Sequence, residues 1–202
     1  MKKIKKRFAY PQNKVILIFI LSFALFLFTI LCMNSLKNVD VNINLFFNSI
    51  RETNLIELMN VFSFFGSPYF IVGISVFVLG FFLLKRKYKE FSFYFFSNLV
   101  GNGLSLLLKE IIKRERPVNI FESDYSFPSN HALSSIIIFW SLAYLLKEKN
   151  KPLSIALFLA PLFVSFSRLY LGVHWFSDII AGISLGTMIF SIMVYLHFYR
   201  KN

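Results

Sequence analysis

The chain has 202 residues, of which 56% are hydrophobic and 19% aromatic, against only 16% charged. A soluble domain is usually about 45–50% apolar and about 25% charged, and a water-soluble globule of this size has nowhere to hide 27 Phe. Composition therefore excludes a soluble enzyme, a disordered chain and a nucleic-acid-binding module, and the single cysteine, Cys32, excludes a disulfide framework or a cysteine-based metal site.

A bilayer core about 30 Å thick takes roughly 20 apolar residues of helix. Six runs meet that need: residues 15–33, 68–84, 91–112, 130–146, 153–173 and 177–198. They are too long and continuous for barrel strands, so an all-α integral membrane bundle of six transmembrane helices is expected. The basic start and the apolar run after it, with no small-residue cleavage site, read as an uncleaved anchor. Residues 35–66 alternate apolar Val41, Ile43, Leu45, Phe46 and Ile50 with polar neighbours, which predicts an outer interfacial helix between the first two spans. One domain, 1–202, uses the whole length.

The net charge of +12 lies outside the spans. Lys2, Lys3, Lys5, Lys6, Arg7, Lys14, Lys85, Arg86, Lys87, Lys89, Lys147, Lys149, Lys151, Arg200 and Lys201 fall on one side. By the positive-inside rule that side is cytoplasmic, with both termini inside. Five of the remaining basic residues, Lys109, Lys113, Arg114, Arg116 and Arg168, concentrate at the outer ends of spans and need a local reason.

Three outer stretches carry the unusual side chains. In the first, Lys109 and Arg116 are seven apart, which on a helix puts both on one face, with Pro117 as the stop. A basic flank snorkelling to headgroups is the bland alternative, but such flanks belong inside. In the second, Pro128-Ser129-Asn130-His131 opens the fourth span. Ser129 is a natural N-cap, free N–H groups there suit an anion, and His131 sits in the first turn. A capped helix with an interfacial histidine is the alternative. In the third, Arg168 lies within a span, where an ionisable residue is a functional candidate by default. His174 and Asp178 are four apart and share a helical face, so the carboxylate can fix the imidazole tautomer, in either a catalytic or a purely structural pair. Three converging cations call for an anion, and a phosphoryl group fits them. His197, Trp140, Trp175, Tyr170 and the Phe stripes read as packing or interface residues.

Lys109 to Arg116-Pro117, Pro128-Ser129-Asn130-His131 and Ser167-Arg168 with His174 and Asp178 resemble the K-x6-R-P, P-S-G-H and S-R-x5-H-x3-D signature of the type 2 phosphatidic acid phosphatase superfamily, which includes the vanadium haloperoxidases. The signature runs from 109 to 178, and the length is most similar to small bacterial members acting on phosphatidylglycerophosphate or undecaprenyl pyrophosphate. The one departure is Asn130, where the family has Gly.

The resemblance implies a lipid phosphatase working through a phosphohistidine. His174 would attack phosphorus, Asp178 would orient it, and His131 would protonate the leaving oxygen. Lys109, Arg116, Arg168, Ser129 and Asn130 would bind the substrate. No acidic or His/Cys set suits a metal, so no cofactor and metal-independent activity are expected. The implied partners are a lipid phosphate drawn from the bilayer and the membrane itself, with no nucleic acid and no obligate protein partner. A site facing outward favours undecaprenyl pyrophosphate. Phosphatidylglycerophosphate or phosphatidate is the alternative substrate, and a non-catalytic lipid-phosphate binder or transporter the alternative class.

Overall fold

The computed structural model describes residues 12–117 and 124–199. The described residues form eight helices: α1 (Gln12–Leu31), α2 (Met33–Ser49), α3 (Thr53–Phe64), α4 (Pro68–Leu84), α5 (Tyr88–Ile112), α6 (Asn130–Leu146), α7 (Lys151–Tyr170) and α8 (Phe176–Tyr199). Lys2, Lys3, Lys5, Lys6, Arg7, Arg200 and Lys201, on which part of the charge reading rests, lie outside the described residues.

Among the described residues, five stretches are long and apolar enough to cross a membrane: Gln12–Leu31, Thr53–Leu84, Tyr88–Ile112, Lys151–Tyr170 and Phe176–His197. α6 is also apolar but has only 17 residues. Leu17, Leu21, Val72, Phe77, Leu106 and Leu162 are each more than half exposed on the outside of the bundle. Soluble monomers do not display continuous apolar surface of this kind. The chain is a multi-pass integral membrane bundle, and those side chains face lipid.

Local chemistry sets the helix ends. Ser67 caps α4 by accepting from Phe70 N at 3.3 Å, with Pro68 at the first helical position. Asn150 caps α7 through Leu153 N at 3.1 Å. α5 stops at Ile112, where Lys113 takes a left-handed φ of 50°. That end comes before Pro117, so Arg116 sits in a loop rather than on a helical face shared with Lys109 as the spacing predicted.

The segment from 35 to 66 also differs from expectation. It holds two helices where one was expected, and α3 leads through a short turn into α4. The corner between α2 and α3 is pinned by Tyr170: Arg51 Nε donates to its carbonyl at 3.0 Å, Glu52 N donates to its hydroxyl at 2.9 Å, and that hydroxyl donates to Ile50 O at 3.2 Å. These bonds connect polar groups to the bundle, which the alternating pattern alone does not reveal.

α6 is the hub. It packs against α5, α7, α8 and, less extensively, α4, and 11 of its 17 residues are buried, so it faces protein on nearly every side. Its first turn rests directly on α8 at two glycines four apart. A Cβ on Gly182 would lie 2.5 Å from Ser129 O, and one on Gly186 would lie 3.0 Å from Leu133 O. Small residues at this spacing let membrane helices approach backbone to backbone. The contact places the buried N-terminus of α6 beside the start of α8, where Ser129 N donates to Asp178 O at 3.1 Å. Gly182→Ala should therefore cost about 1–3 kcal/mol through overpacking, read as a lower apparent Tm in detergent. Gly73→Ala, whose Cβ meets nothing within 4 Å, should melt like the parent. Equal melting of all three proteins would contradict this contact.

Candidate active site

Four chain pieces meet at one end of the bundle: the end of α5 with the loop after it, the start of α6, the end of α7, and the turn leading into α8. His174 occupies that turn and is 2% exposed. Its Nε2 lies 3.0 Å from a guanidinium nitrogen of Arg116. Arginine only donates, so Nε2 must present its lone pair, and the ring proton sits on Nδ1. Nδ1 faces Asp178 Oδ2 at 3.5 Å. That is longer than an ordinary hydrogen bond, as catalytic contacts often are before substrate tightens them. The same Oδ2 also accepts from Trp175 N at 3.0 Å.

Three further contacts hold Arg116 in the loop. It donates to Val173 O at 2.8 Å and to Asp124 O at 3.0 Å, and forms a 2.6 Å ion pair with the Asp124 carboxylate. Lys109, 4% exposed at the end of α5, pairs with the other Asp124 oxygen at 2.8 Å and donates to Tyr125 O. One carboxylate thus bridges the two cations beside His174. Burial pushes the Asp124 carboxyl up, but hydrogen bonds and charge from Lys109 and Arg116 outweigh this and hold its pKa down at about 2.

Arg168 is buried within α7 and donates to Ser63 Oγ of α3 at 2.7 Å. Its charge, with those of Arg116 and Lys109, acts on both His131 and His174. His131 lies against the turn between α3 and α4: a Cβ on Gly66 would come within 3.0 Å of its Cδ2. Ser129 caps α6 through a long 3.5 Å contact from Ala132 N. Asn130 Oδ1 faces Ser134 Oγ at 3.3 Å, and that hydroxyl also lies 2.9 Å from Asn102 Oδ1. The Asn130 amide is thus engaged along α6 and α5.

Sequence reasoning missed Asp124, Arg114, Asp40 and Ser177. Arg114 forms 2.6 Å ion pairs with both Asp178 and Asp40. Asp40, 1% exposed on α2, accepts from Ser177 N at 2.8 Å and from its hydroxyl at 2.6 Å. Arg114 carried a weak signal, a cation two residues before Arg116 at the end of a span that the charge pattern predicts to be outer. Asp40 carried none, because its partner Ser177 is 137 residues away. Trp175 Nε1 donates to Glu115 O at 2.9 Å, and Arg114 Cζ lies 5.6 Å from its ring centroid. Among the described residues, no group of three or more His, Cys, Asp or Glu side chains could hold a metal ion.

Paired cations beside the buried His174 imidazole, at one end of a membrane bundle, suit an anionic group. The model of the PAP2 superfamily matches residues 90–202, and the chain belongs to that superfamily. It is a membrane lipid phosphatase, a hydrolase whose substrates are lipid phosphates. Phosphatidylglycerophosphatase B of Bacillus subtilis is 30% identical over 168 residues, 78% of this chain and 82% of that protein. Undecaprenyl-diphosphatase of Sulfolobus acidocaldarius is 31% identical over 166 residues, 76% and 77% of the two chains. The crystal structure of a transmembrane PAP2 type phosphatidylglycerolphosphate phosphatase from Bacillus subtilis superposes with a TM-score of 0.76 at 27% identity, covering 85% of this chain and 93% of that one.

Burial holds the His174 imidazole well below its ordinary pKa; Arg168, Arg116 and Lys109 push the same way, and Asp124 opposes them. The unfolded chain therefore takes up a proton below about pH 6.5 that native His174 refuses. Its contribution to stability is complete above that pH and is lost as pH falls toward the depressed native value, by at most about 1.4 kcal/mol per pH unit. The apparent Tm in detergent should fall on acidification below that point, and His174→Gln should flatten the fall. An unchanged slope in the variant would show that His174 is not held neutral.

Proposed function

We propose that the chain removes the terminal phosphate from undecaprenyl pyrophosphate at the outer membrane face, through a phosphohistidine on His174. The observation that carries this reading is the Arg116–His174 contact at 3.0 Å, which leaves a lone pair on the ring nitrogen next to the cations. His174 Nε2 attacks phosphorus as the bond to the leaving oxygen breaks. His131 donates a proton to that oxygen. Asp178 holds the Nδ1 proton and stabilises the imidazolium that forms. Water then attacks the phosphohistidine with His131 taking its proton, and inorganic phosphate leaves with His174 restored.

Lys109, Arg116, Arg168, Ser129 and Asn130 are the proposed substrate-binding residues. Positive donors around the phosphoryl oxygens stabilise the charge that spreads over them in the transition state. Phosphoryl oxygens take over the positions that the Asp124 carboxylate holds on Lys109 and Arg116. With cations, a capped helix end and imidazoles in these roles, the chemistry proceeds without a metal ion or other cofactor.

The proposed topology has six spans, with α6 as the short sixth and both termini cytoplasmic. Lys85, Arg86, Lys87, Lys89, Lys147, Lys149 and Lys151 lie at the ends of α4 and α6 and the starts of α5 and α7, opposite the ends that carry the site. The positive-inside rule then turns the site outward. Phosphatidylglycerophosphate is the second reading, supported by the likeness, in sequence and in structure, to phosphatidylglycerophosphate phosphatase of Bacillus subtilis.

Hydrolysis of undecaprenyl pyrophosphate, phosphatidylglycerophosphate and phosphatidate by the detergent-solubilised protein, with and without EDTA, tests this. Undecaprenyl pyrophosphate should be turned over fastest, EDTA should have no effect, and His174→Ala should lose at least roughly 10³-fold in kcat. Preference for phosphatidylglycerophosphate would select the second reading. Loss of activity in EDTA, or a fully active His174→Ala, would contradict the mechanism.

A further inference from the structure

Asp40 is the one fully buried residue of α2, a helix outside the signature stretches. A lone buried carboxylate is costly unless it is paired and its oxygens are satisfied. Here both oxygens are used: Oδ1 accepts from Ser177 N at 2.8 Å, and Oδ2 accepts from the Ser177 hydroxyl and from Arg114, each at 2.6 Å. The Arg114 side chain is 13% exposed. Its other terminal nitrogen donates to Ser177 Oγ at 2.7 Å and to Asp178 Oδ1 at 2.6 Å, and its Cζ lies 5.6 Å from the Trp175 ring centroid. Ser126, itself buried, fixes the Arg114 backbone by donating N–H to its carbonyl at 2.8 Å.

The remaining Asp178 oxygen is the one that faces His174 Nδ1. A continuous chain of contacts therefore runs from Asp40 through Arg114 to Asp178 and on to the nucleophile. Every member beyond Asp178 acts on the orientation of that carboxylate and touches no reacting atom. The chain also has a charge logic. Two carboxylates share one guanidinium, which leaves one negative charge over, and the positive charge that forms on the His174 ring as Nε2 bonds phosphorus develops opposite that surplus.

We propose that Arg114 and Asp40 are positioning residues for the nucleophile, through which α2 sets the orientation and charge of Asp178. This rests on the phosphohistidine reading above. It extends the active site to a helix that no part of the signature includes, and it assigns the two cations of the same loop different work: Arg116 faces the phosphoryl side of His174, and Arg114 the carboxylate behind it.

The test compares Arg114→Gln, Arg114→Ala and Asp40→Asn with wild type and His174→Ala in lipid phosphate hydrolysis, each checked for a monodisperse detergent-solubilised form. Partners behind a catalytic group typically matter by roughly 10- to 100-fold, and that loss should appear in kcat with KM unchanged. Guanidinium chloride at sub-denaturing concentration should restore Arg114→Ala in part and should leave His174→Ala inactive. Asp40→Asn keeps the size and acceptor of the native side chain, so it decides the matter if the Arg114 variants do not fold. Wild-type kcat in Asp40→Asn or Arg114→Gln, or a loss confined to KM, would overturn the proposal. Active wild type with inactive His174→Ala keeps the covalent route standing whatever the Arg114 variants do. A wild type without hydrolysis removes that route and this proposal with it.

Discussion

Removing an ion from water costs several kcal/mol even after a protein relaxes around it, and the site end of this bundle buries many. Lys109, Arg168, Asp40 and Asp178 are each nearly inaccessible. The bundle tolerates them because charges are shared. Asp124 bridges Lys109 and Arg116, and Arg114 is bridged by Asp40 and Asp178. The first set carries a surplus of positive charge and the second a surplus of negative charge. His174 stands between them, with Nε2 toward the cations and Nδ1 toward the carboxylate. In the proposed mechanism a phosphoryl group balances the first surplus, and an imidazolium the second.

Backbone packing holds these sets in register. Gly182 and Gly186 let α8 approach the first turn of α6 closely, and the Ser129 N–H reaches the carbonyl of Asp178. The capped end of α6 and the carboxylate of α8 therefore move as one piece. On the opposite side, α3 and the turn after it meet Arg168 through Ser63 and His131 through Gly66. Site geometry is thus a property of helix packing, with the loop residues Arg114 and Arg116 tied in by their own ion pairs.

Much of this was legible in the sequence, for local reasons. The bounds of α4 and α6 follow from Ser67-Pro68 and Ser129, capping signals that act within one turn. The apolar runs identify the other long helices to within a few residues, since length and hydropathy decide membrane insertion. Lys109, Arg168, His174 and Asp178 stand out as polar residues where apolar ones belong. What the sequence hid is nonlocal. Arg116 was assigned to a helical face because the seven-residue spacing suits one, but Lys113 in its left-handed conformation ends α5 first. The segment containing α2 and α3 read as interfacial, because an amphipathic pattern does not say whether its polar side meets water or a buried arginine. Asp40 is one acid among polar neighbours until folding brings Arg114 and Ser177 to it.

The covalent step on His174 is most directly tested by quenching turnover of a radiolabelled lipid phosphate in alkaline detergent and mapping the protein-bound label. Label in the peptide containing His174, stable to base, labile to acid and absent from His174→Ala, is the expected result. Hydrolysis that proceeds with no protein-bound label, or with label on another residue, would contradict it.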